Sequence, residues 1–148
     1  MSIRKGIPCD HPWLIALWRR AVEGTHLFLS AHDIQEIEQE LQSVYLPAVD
    51  LWIAESVDDP MSGIDGFMGL DGSKVEMLFV EPARRGQGIG SRLLDHARSL
   101  HGTLTLDVNE QNTQAHGFYL HYGFIETGRS EADNAGRPFP LIHMHFAG

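Results

Sequence analysis

Apolar side chains recur along this chain with two different periods, and the alternation between those periods lays out the elements. Ile3 to Gly6 reads as a short opening strand, and Asp10 with Pro12 signals the start of a helix. Trp13, Leu14, Leu17, Trp18 and Ala21 follow at three- and four-residue spacings, giving one apolar face as far as about Glu23. Gly24 to Leu29 reads as a loop. Ser30 is placed to cap a second helix, with Asp33 standing in for the glutamate of a capping box. Ile34, Ile37, Leu41 and Val44 form the apolar face of that helix, and Pro47 falls just past its end.

A strand-rich stretch follows. Leu51 to Ala54 and the glycine-weakened Gly63 to Leu70 are strand candidates, and Asp71-Gly72 signals a hairpin turn into Val75 to Val80. From Gly88 to Leu100 the helical period returns, with Ile89, Leu93, Ala97 and Leu100 on one face and Leu94 beside it. Thr103 to Val108 is a strand, Thr113 to His121 a shorter helix, and Phe124 to Arg129 a strand. The turn-rich 133–136 then leads into a last strand, Leu141 to Phe146. The order β-α-α-β-β-β-α-β-α-β-β describes an α/β domain with a mixed sheet. No repeat, low-complexity tract or linker divides the 148 residues, so a single domain over 1–148 is expected.

Composition refines this picture in a few places. A hydrophobic content of 43% with 21% charged residues is that of a globular chain. A formal charge of -9 argues against binding nucleic acid through a broad basic surface, and weakly favours a cationic substrate. Met1 to Lys5 leads into no long apolar stretch, so neither a signal peptide nor a membrane span is expected. The lone Cys9 fits a reducing cytoplasm, and its simplest role is that of a small apolar side chain. Among the histidines, His143 and His145 share a strand face but have no Cys or carboxylate at ligand spacing. His96 with His101, and His116 with His121, are five apart and do not align on a helix, so no metal site is expected.

The chemistry concentrates in residues 75–90. A strand ends there, Pro82, Arg84 and Arg85 turn the chain, and three alternate glycines, Gly86, Gly88 and Gly90, open a helix. Glycine lets a ligand approach the backbone, and the first turn of a helix offers free N–H groups at the positive end of its dipole. Together these make a pyrophosphate cradle. A P-loop would need Gly-Lys-Ser/Thr, which Gly90-Ser91-Arg92 does not supply. A dinucleotide-binding fingerprint fits poorly as well. Its first glycine belongs at the strand end, its spacing differs, and the chain is short for that sheet, although Asp107 stands at about the right distance.

Arg85-Gly86-Gln87-Gly88-Ile89-Gly90 resembles the Gln/Arg-x-x-Gly-x-Gly/Ala signature of the GNAT acetyltransferases, with Val80 and Pro82 in the places of its Val-x-Pro lead-in. A second signature, Asn112-x-x-Ala115-x-x-x-Tyr119-x-x-x-Gly123-Phe124, follows in the right order. Residues 25–30, 108–112, 128–131 and 136–141 resemble the small bacterial YjaB-type members, so the likeness covers nearly the whole chain.

The resemblance implies a mixed, twisted sheet of about seven strands, splayed between the fourth and fifth and flanked by about four helices. It implies acetyl-CoA as cosubstrate, lying in that splay. Leu78, Phe79 and Val80 would meet the pantetheine. The loop of Arg85, Gly86, Gln87, Gly88, Ile89, Gly90 and Ser91 would hold the pyrophosphate, and Asn112 and Tyr119 would also touch the cofactor. A homodimer is the assembly the resemblance suggests.

Acyl transfer to an amine needs a deprotonated nucleophile, a polarised thioester carbonyl and a proton for the departing thiolate. Tyr119 supplies a phenolic proton, at a cost of about 2 kcal/mol from the ordinary values of a phenol and a thiol. For the base, Glu76 is expected to point from the fourth strand towards the face of Leu78, and His26 sits in the loop expected to overhang the acceptor. Both stay open. The alternative of an acyl-CoA sensor without catalysis is disfavoured by the presence of Tyr119 and Asn112. Small amine, antibiotic, peptide N-terminus and protein lysine all remain as acceptors, because variable loops build that groove.

Overall fold

The computed structural model describes residues 2–25, 28–56 and 63–148. Its elements are β1 (Ser2–Lys5), α1 (His11–Thr25), α2 (Ala31–Glu40), α3 (Leu46–Ala48), β2 (Asp50–Glu55), β3 (Ile64–Asp71), β4 (Lys74–Val80), α4 (Ile89–His101), β5 (Leu104–Asn109), α5 (Thr113–Tyr122), β6 (Ile125–Ser130) and β7 (Leu141–Phe146). The strands form one seven-stranded sheet in the order β1-β2-β3-β4-β5-β7-β6. Every neighbouring pair is antiparallel except β4 and β5.

Alternation along the strands sends side chains to two cores. Met68, Leu70 and Val75 pack with Leu93 and Leu94 of α4 and with Leu106, Val108 and Met144. Phe67 and Met77 pack instead with Leu14, Leu17 and Trp18 of α1 and with Ile34 and Leu41. The expected cap of α2 is present. Ser30 Oγ accepts from the Asp33 N–H at 3.1 Å, and Asp33 Oδ2 accepts from the Ser30 N–H at 3.0 Å.

Three expectations about helix faces need correction. Trp13 stands outside the core, 65% exposed, and Val22 takes the burial that the apolar stripe had assigned to it. Pro47 does not follow the second helix. The chain continues through a widened π-turn, Leu41–Tyr45, in which the Leu46 N–H bonds Leu41 O, and Pro47 lies inside α3. Proline near a helix start needs no N–H partner, and the wider turn spares its ring the clash that a regular helix would impose. The extra residue rotates Val44 out to 56% exposure and brings Leu46 in at 1%. Leu100, in the last turn of α4, is exposed as well.

The N-terminal segment is fastened by Asp10, which is buried. Its carboxylate accepts from Arg4 Nη1 and Nη2 at 2.9 and 2.8 Å and from the Ile7 N–H at 2.9 Å. The Arg4 hydrogen bonds, ahead of the opposing effect of burial, hold this carboxyl below its usual range. A carboxyl lowered in the folded state contributes stability at neutral pH that is lost as pH falls through its folded value. Asp10→Ala is therefore expected to cost about 1–2 kcal/mol at neutral pH, after allowance for the partial exposure of Arg4. In urea denaturation its deficit against the unmodified protein should shrink as the medium is taken below the carboxylate range; a deficit unchanged by acid contradicts the assignment.

Candidate active site

The geometry starts from where β4 and β5 part. They pair only at Lys74↔Thr105 and Val75↔Leu106, while β4 runs on to Val80 and β5 to Asn109. Past that point the backbone groups of β4 that β3 does not use face a gap. Turns 82–88 and the N-terminus of α4 lie beyond the end of β4. Gly86 and Gly88 hold φ of 80° and 78°, in the left-handed region that favours glycine. Gly88 is the N-cap of α4, so no side chain caps that terminus and its first N–H groups remain available to a ligand. A Cβ on Gly88 would meet nothing within 4 Å, so open space lies beside the loop. Gly90 is small for another reason: a Cβ there would stand 3.0 Å from the Phe118 ring that packs α5 on α4.

A cleft of about 560 Å³ occupies this gap. Of the residues predicted to meet a cofactor, Leu78, Phe79, Val80, Arg85, Gly86 and Gly88 line it, as do Ile89, Gly90, Ser91, Asn112 and Tyr119. Gln87 is exposed and does not line it. Arg84, Ala115 and Phe118 contribute as well, although sequence reasoning assigned none of them a cofactor contact. Asn112 spends its Oδ1 on capping α5, accepting from the Ala115 N–H at 3.2 Å. Tyr119 is buried at 8% exposure between the rings of Phe118 and Phe124. Burial alone pushes its phenol well above the ordinary tyrosine value, so it stays protonated throughout the physiological range.

Glu76 is not where alternation put it. The β3–β4 register slips so that Gly69 pairs Met77 while Leu70 pairs Val75, which makes Glu76 the extra residue of a bulge. It lines a second cleft of about 230 Å³ together with Met77, whereas Leu78 and Val80 line the first. The expectation that Glu76 shares the face of Leu78 is thus overturned by one inserted residue. Phe79 lines both clefts. His26, the other predicted base, lies outside the described residues.

The second cleft has apolar walls, including Trp18 and Leu41, and a polar floor of Lys74, Glu76 and Asp107. Lys74 Nζ stands 3.4 Å from Glu76 Oε1 and 3.1 Å from Asp107 Oδ2. Desolvation opposes the charge on Lys74, but these carboxylates outweigh it and keep its pKa above the usual lysine value. Arg137 closes one side, donating to Glu36 at 3.0 Å and Glu40 at 2.9 Å and so tying the β6–β7 connection to α2. Sequence reasoning assigned no role to Lys74 or Arg137. The only available signal was a charged residue in a strand-forming or turn-forming stretch, which does not say which face it takes.

Comparison with known proteins agrees with this geometry. A family profile described as "Acetyltransferase (GNAT) domain" matches residues 47–126. The chain is 51% identical to the "Peptidyl-lysine N-acetyltransferase YjaB" of Salmonella typhimurium, over 97% of both chains. The solution structure of apo-form YjaB from Escherichia coli superposes with a TM-score of 0.89 at 43% identity, covering 99% of this chain and 97% of that one. A Thermoplasma acidophilum N-acetyltransferase, solved in complex with coenzyme A, shares the fold at a TM-score of 0.75 and 22% identity, over 97% of this chain and 96% of that one.

The loop geometry predicts that Gly88→Asp abolishes binding of coenzyme A, because it sets a carboxylate where a pyrophosphate would lie. Aspartate tolerates the left-handed region better than most residues, so the fold should survive. Calorimetry on the folded variant should show no measurable binding; unchanged affinity contradicts the assignment.

Proposed function

The chain belongs to the GNAT acetyltransferases and is an acetyl-CoA-dependent N-acetyltransferase, and from that premise we propose that it acetylates the side-chain amine of a peptidyl lysine by direct attack across the β4–β5 gap. The observation that carries this reading is that two clefts, one lined by β4 residues 74–77 and the other by Leu78 and Val80, share Phe79. Acetyl-CoA supplies an activated acetyl thioester. The first cleft, with its uncapped helix terminus and arginines, suits the anionic end of that molecule. The second cleft, with aliphatic and aromatic walls over carboxylates, suits an alkyl chain ending in an ammonium group. The YjaB relative is named for peptidyl-lysine, which fits such a chain.

In this reading Glu76 accepts the surplus ammonium proton, directly or through one water. It stands on the acceptor side of the sheet because of the bulge. Backbone N–H groups of β4 that face the gap polarise the thioester carbonyl. Tyr119 donates its proton to the departing thiolate. Its raised pKa makes it a donor at every working pH but also a weaker acid. The thiolate leaves into the same apolar surroundings, which raise the pKa of a thiol too and so lessen the mismatch. His26, in the segment between α1 and α2, is the competing base.

Tyr119→Phe should lower kcat by about 10²–10⁴ while coenzyme A affinity stays within a few-fold. Because burial raises the phenol, the unmodified enzyme should also show no alkaline loss of kcat from Tyr119 below about pH 10. Wild-type turnover in the Phe variant would return Tyr119 to a packing role. Glu76→Gln should lower the rate at neutral pH and recover part of it in alkaline medium, where the amine arrives already neutral. If His26→Ala gives that profile and Glu76→Gln does not, the base is His26.

A further inference from the structure

A row of polar side chains crosses the sheet behind the second cleft. It begins with Glu76 and Lys74 on β4 and reaches Asp107 on β5. From there Asp107 Oδ1 meets His143 Nδ1 on β7 at 2.6 Å, and His143 Nε2 meets Ser130 Oγ on β6 at 2.6 Å. The strands lie side by side in that order, and Asp107 and His143 are direct cross-strand partners. Glu76, Lys74 and Asp107 line the cleft, while His143 and Ser130 line neither cleft and reach it only through Asp107.

The charges along this row do not cancel. Glu76 and Asp107 share one cation, Lys74, within ion-pair distance, so with a neutral imidazole one carboxylate charge is left over. The other ionisable groups around the cleft are Glu40, Asp133 and Tyr45, and Arg137 engages Glu40 and Asp133. Burial works against the charge on Asp107, but hydrogen bonds from His143 and Lys74 outweigh it and hold the carboxyl below its usual range. Among the described residues four carboxylates, Glu40, Glu76, Asp107 and Asp133, face two cations, Lys74 and Arg137. The cleft therefore keeps two surplus negative charges, one of them at the Glu76–Asp107 end, where an arriving ammonium group is matched. An imidazole bonded to a carboxylate through Nδ1–H takes a further proton at Nε2, here towards the Ser130 oxygen, and that proton fills the same vacancy.

Resting on the acetyl-transfer reading above, we propose that Asp107 is the residue that selects a cationic acceptor, with His143 as the positioning residue that orients its carboxylate and sets the cleft's net charge. Asp107 and Glu76 hold the acceptor's ammonium group beside Lys74. When His143 is neutral the acceptor is drawn in, and when it becomes imidazolium the row is already compensated and the acceptor is not. Acceptor KM therefore rises on the acid side, as His143 takes up a proton.

The test uses the full-length enzyme with acetyl-CoA and a lysine-containing peptide, with acceptor KM measured from neutral into mildly acid medium. Asp107→Asn, which keeps the shape, should raise the peptide KM by about 10- to 100-fold at neutral pH, the scale of one lost charge contact. The KM for acetyl-CoA should stay within a few-fold. His143→Gln can still bond both Asp107 and Ser130 but cannot take a proton. It should keep the neutral-pH KM and lose the rise on the acid side. His143→Asn is the second variant, and melting temperatures report whether each is folded. An acid-side rise that persists in a folded His143 variant, or an unchanged peptide KM in Asp107→Asn, overturns the proposal. Failure of the unmodified enzyme to acetylate any amine would instead strike the acetyl-transfer reading itself.

Discussion

Two backbone pairings, Lys74↔Thr105 and Val75↔Leu106, make up the whole ladder between β4 and β5, and the site depends on their ending there. A parallel pair in mid-sheet is ordinarily buried and continuous. Here the bulge at Glu76 bends β4 just where its pairing with β5 stops, while β3 keeps it in register on the other side as far as Val80. The gap leaves the β4 backbone groups on that side outside the ladder, and the two clefts adjoin along β4 at Phe79. A helix terminus without a side-chain cap borders one cleft. Carboxylates border the other.

This arrangement sorts ligands by charge. The first cleft carries arginine and exposed N–H groups, and the second carries Glu76 and Asp107 with a single lysine between them. The net charge of -9 thus has a local counterpart where a cation is useful and an exception where an anion would bind. In the proposed function an anionic cosubstrate and a cationic acceptor occupy one cleft each and meet at Phe79, which lines both. That meeting point is where the amine reaches the thioester. Tyr119, packed between aromatic rings at the wall of the first cleft, keeps its phenolic proton, as the proposed donor role requires.

Much of this was legible in the sequence, for physical reasons that also mark where legibility ended. The strands and the α4 helix declared themselves through period, and the glycine loop through residues that let a ligand approach the backbone; the positive φ of Gly86 and Gly88 is a further reason for glycine there that the spacing did not reveal. The capping box at Ser30 and Asp33 was equally local. Two of the failures depended on an insertion into a regular pattern. The π-turn before Pro47 rotated Val44 outward, and the bulge moved Glu76 to the opposite face from Leu78. Neither insertion has a composition that announces it. The Asp107–His143 contact depended on strand order, in which β7 lies between β5 and β6, and no local pattern carries that information. His143 was weighed only as a metal ligand, and Asp107 only as part of a dinucleotide site.

The account's central claim is that cosubstrate and acceptor approach the β4–β5 gap from opposite faces of the sheet. A crystal structure with a bisubstrate analogue, coenzyme A joined through an acetyl bridge to the side-chain nitrogen of a lysine peptide, tests it most directly. The account predicts the pyrophosphate against the first turn of α4, the bridge beside Phe79 and Tyr119, and the lysine stem in the cleft floored by Glu76 and Asp107. A lysine stem lying on the same side as the pantetheine, with the second cleft empty, would contradict it.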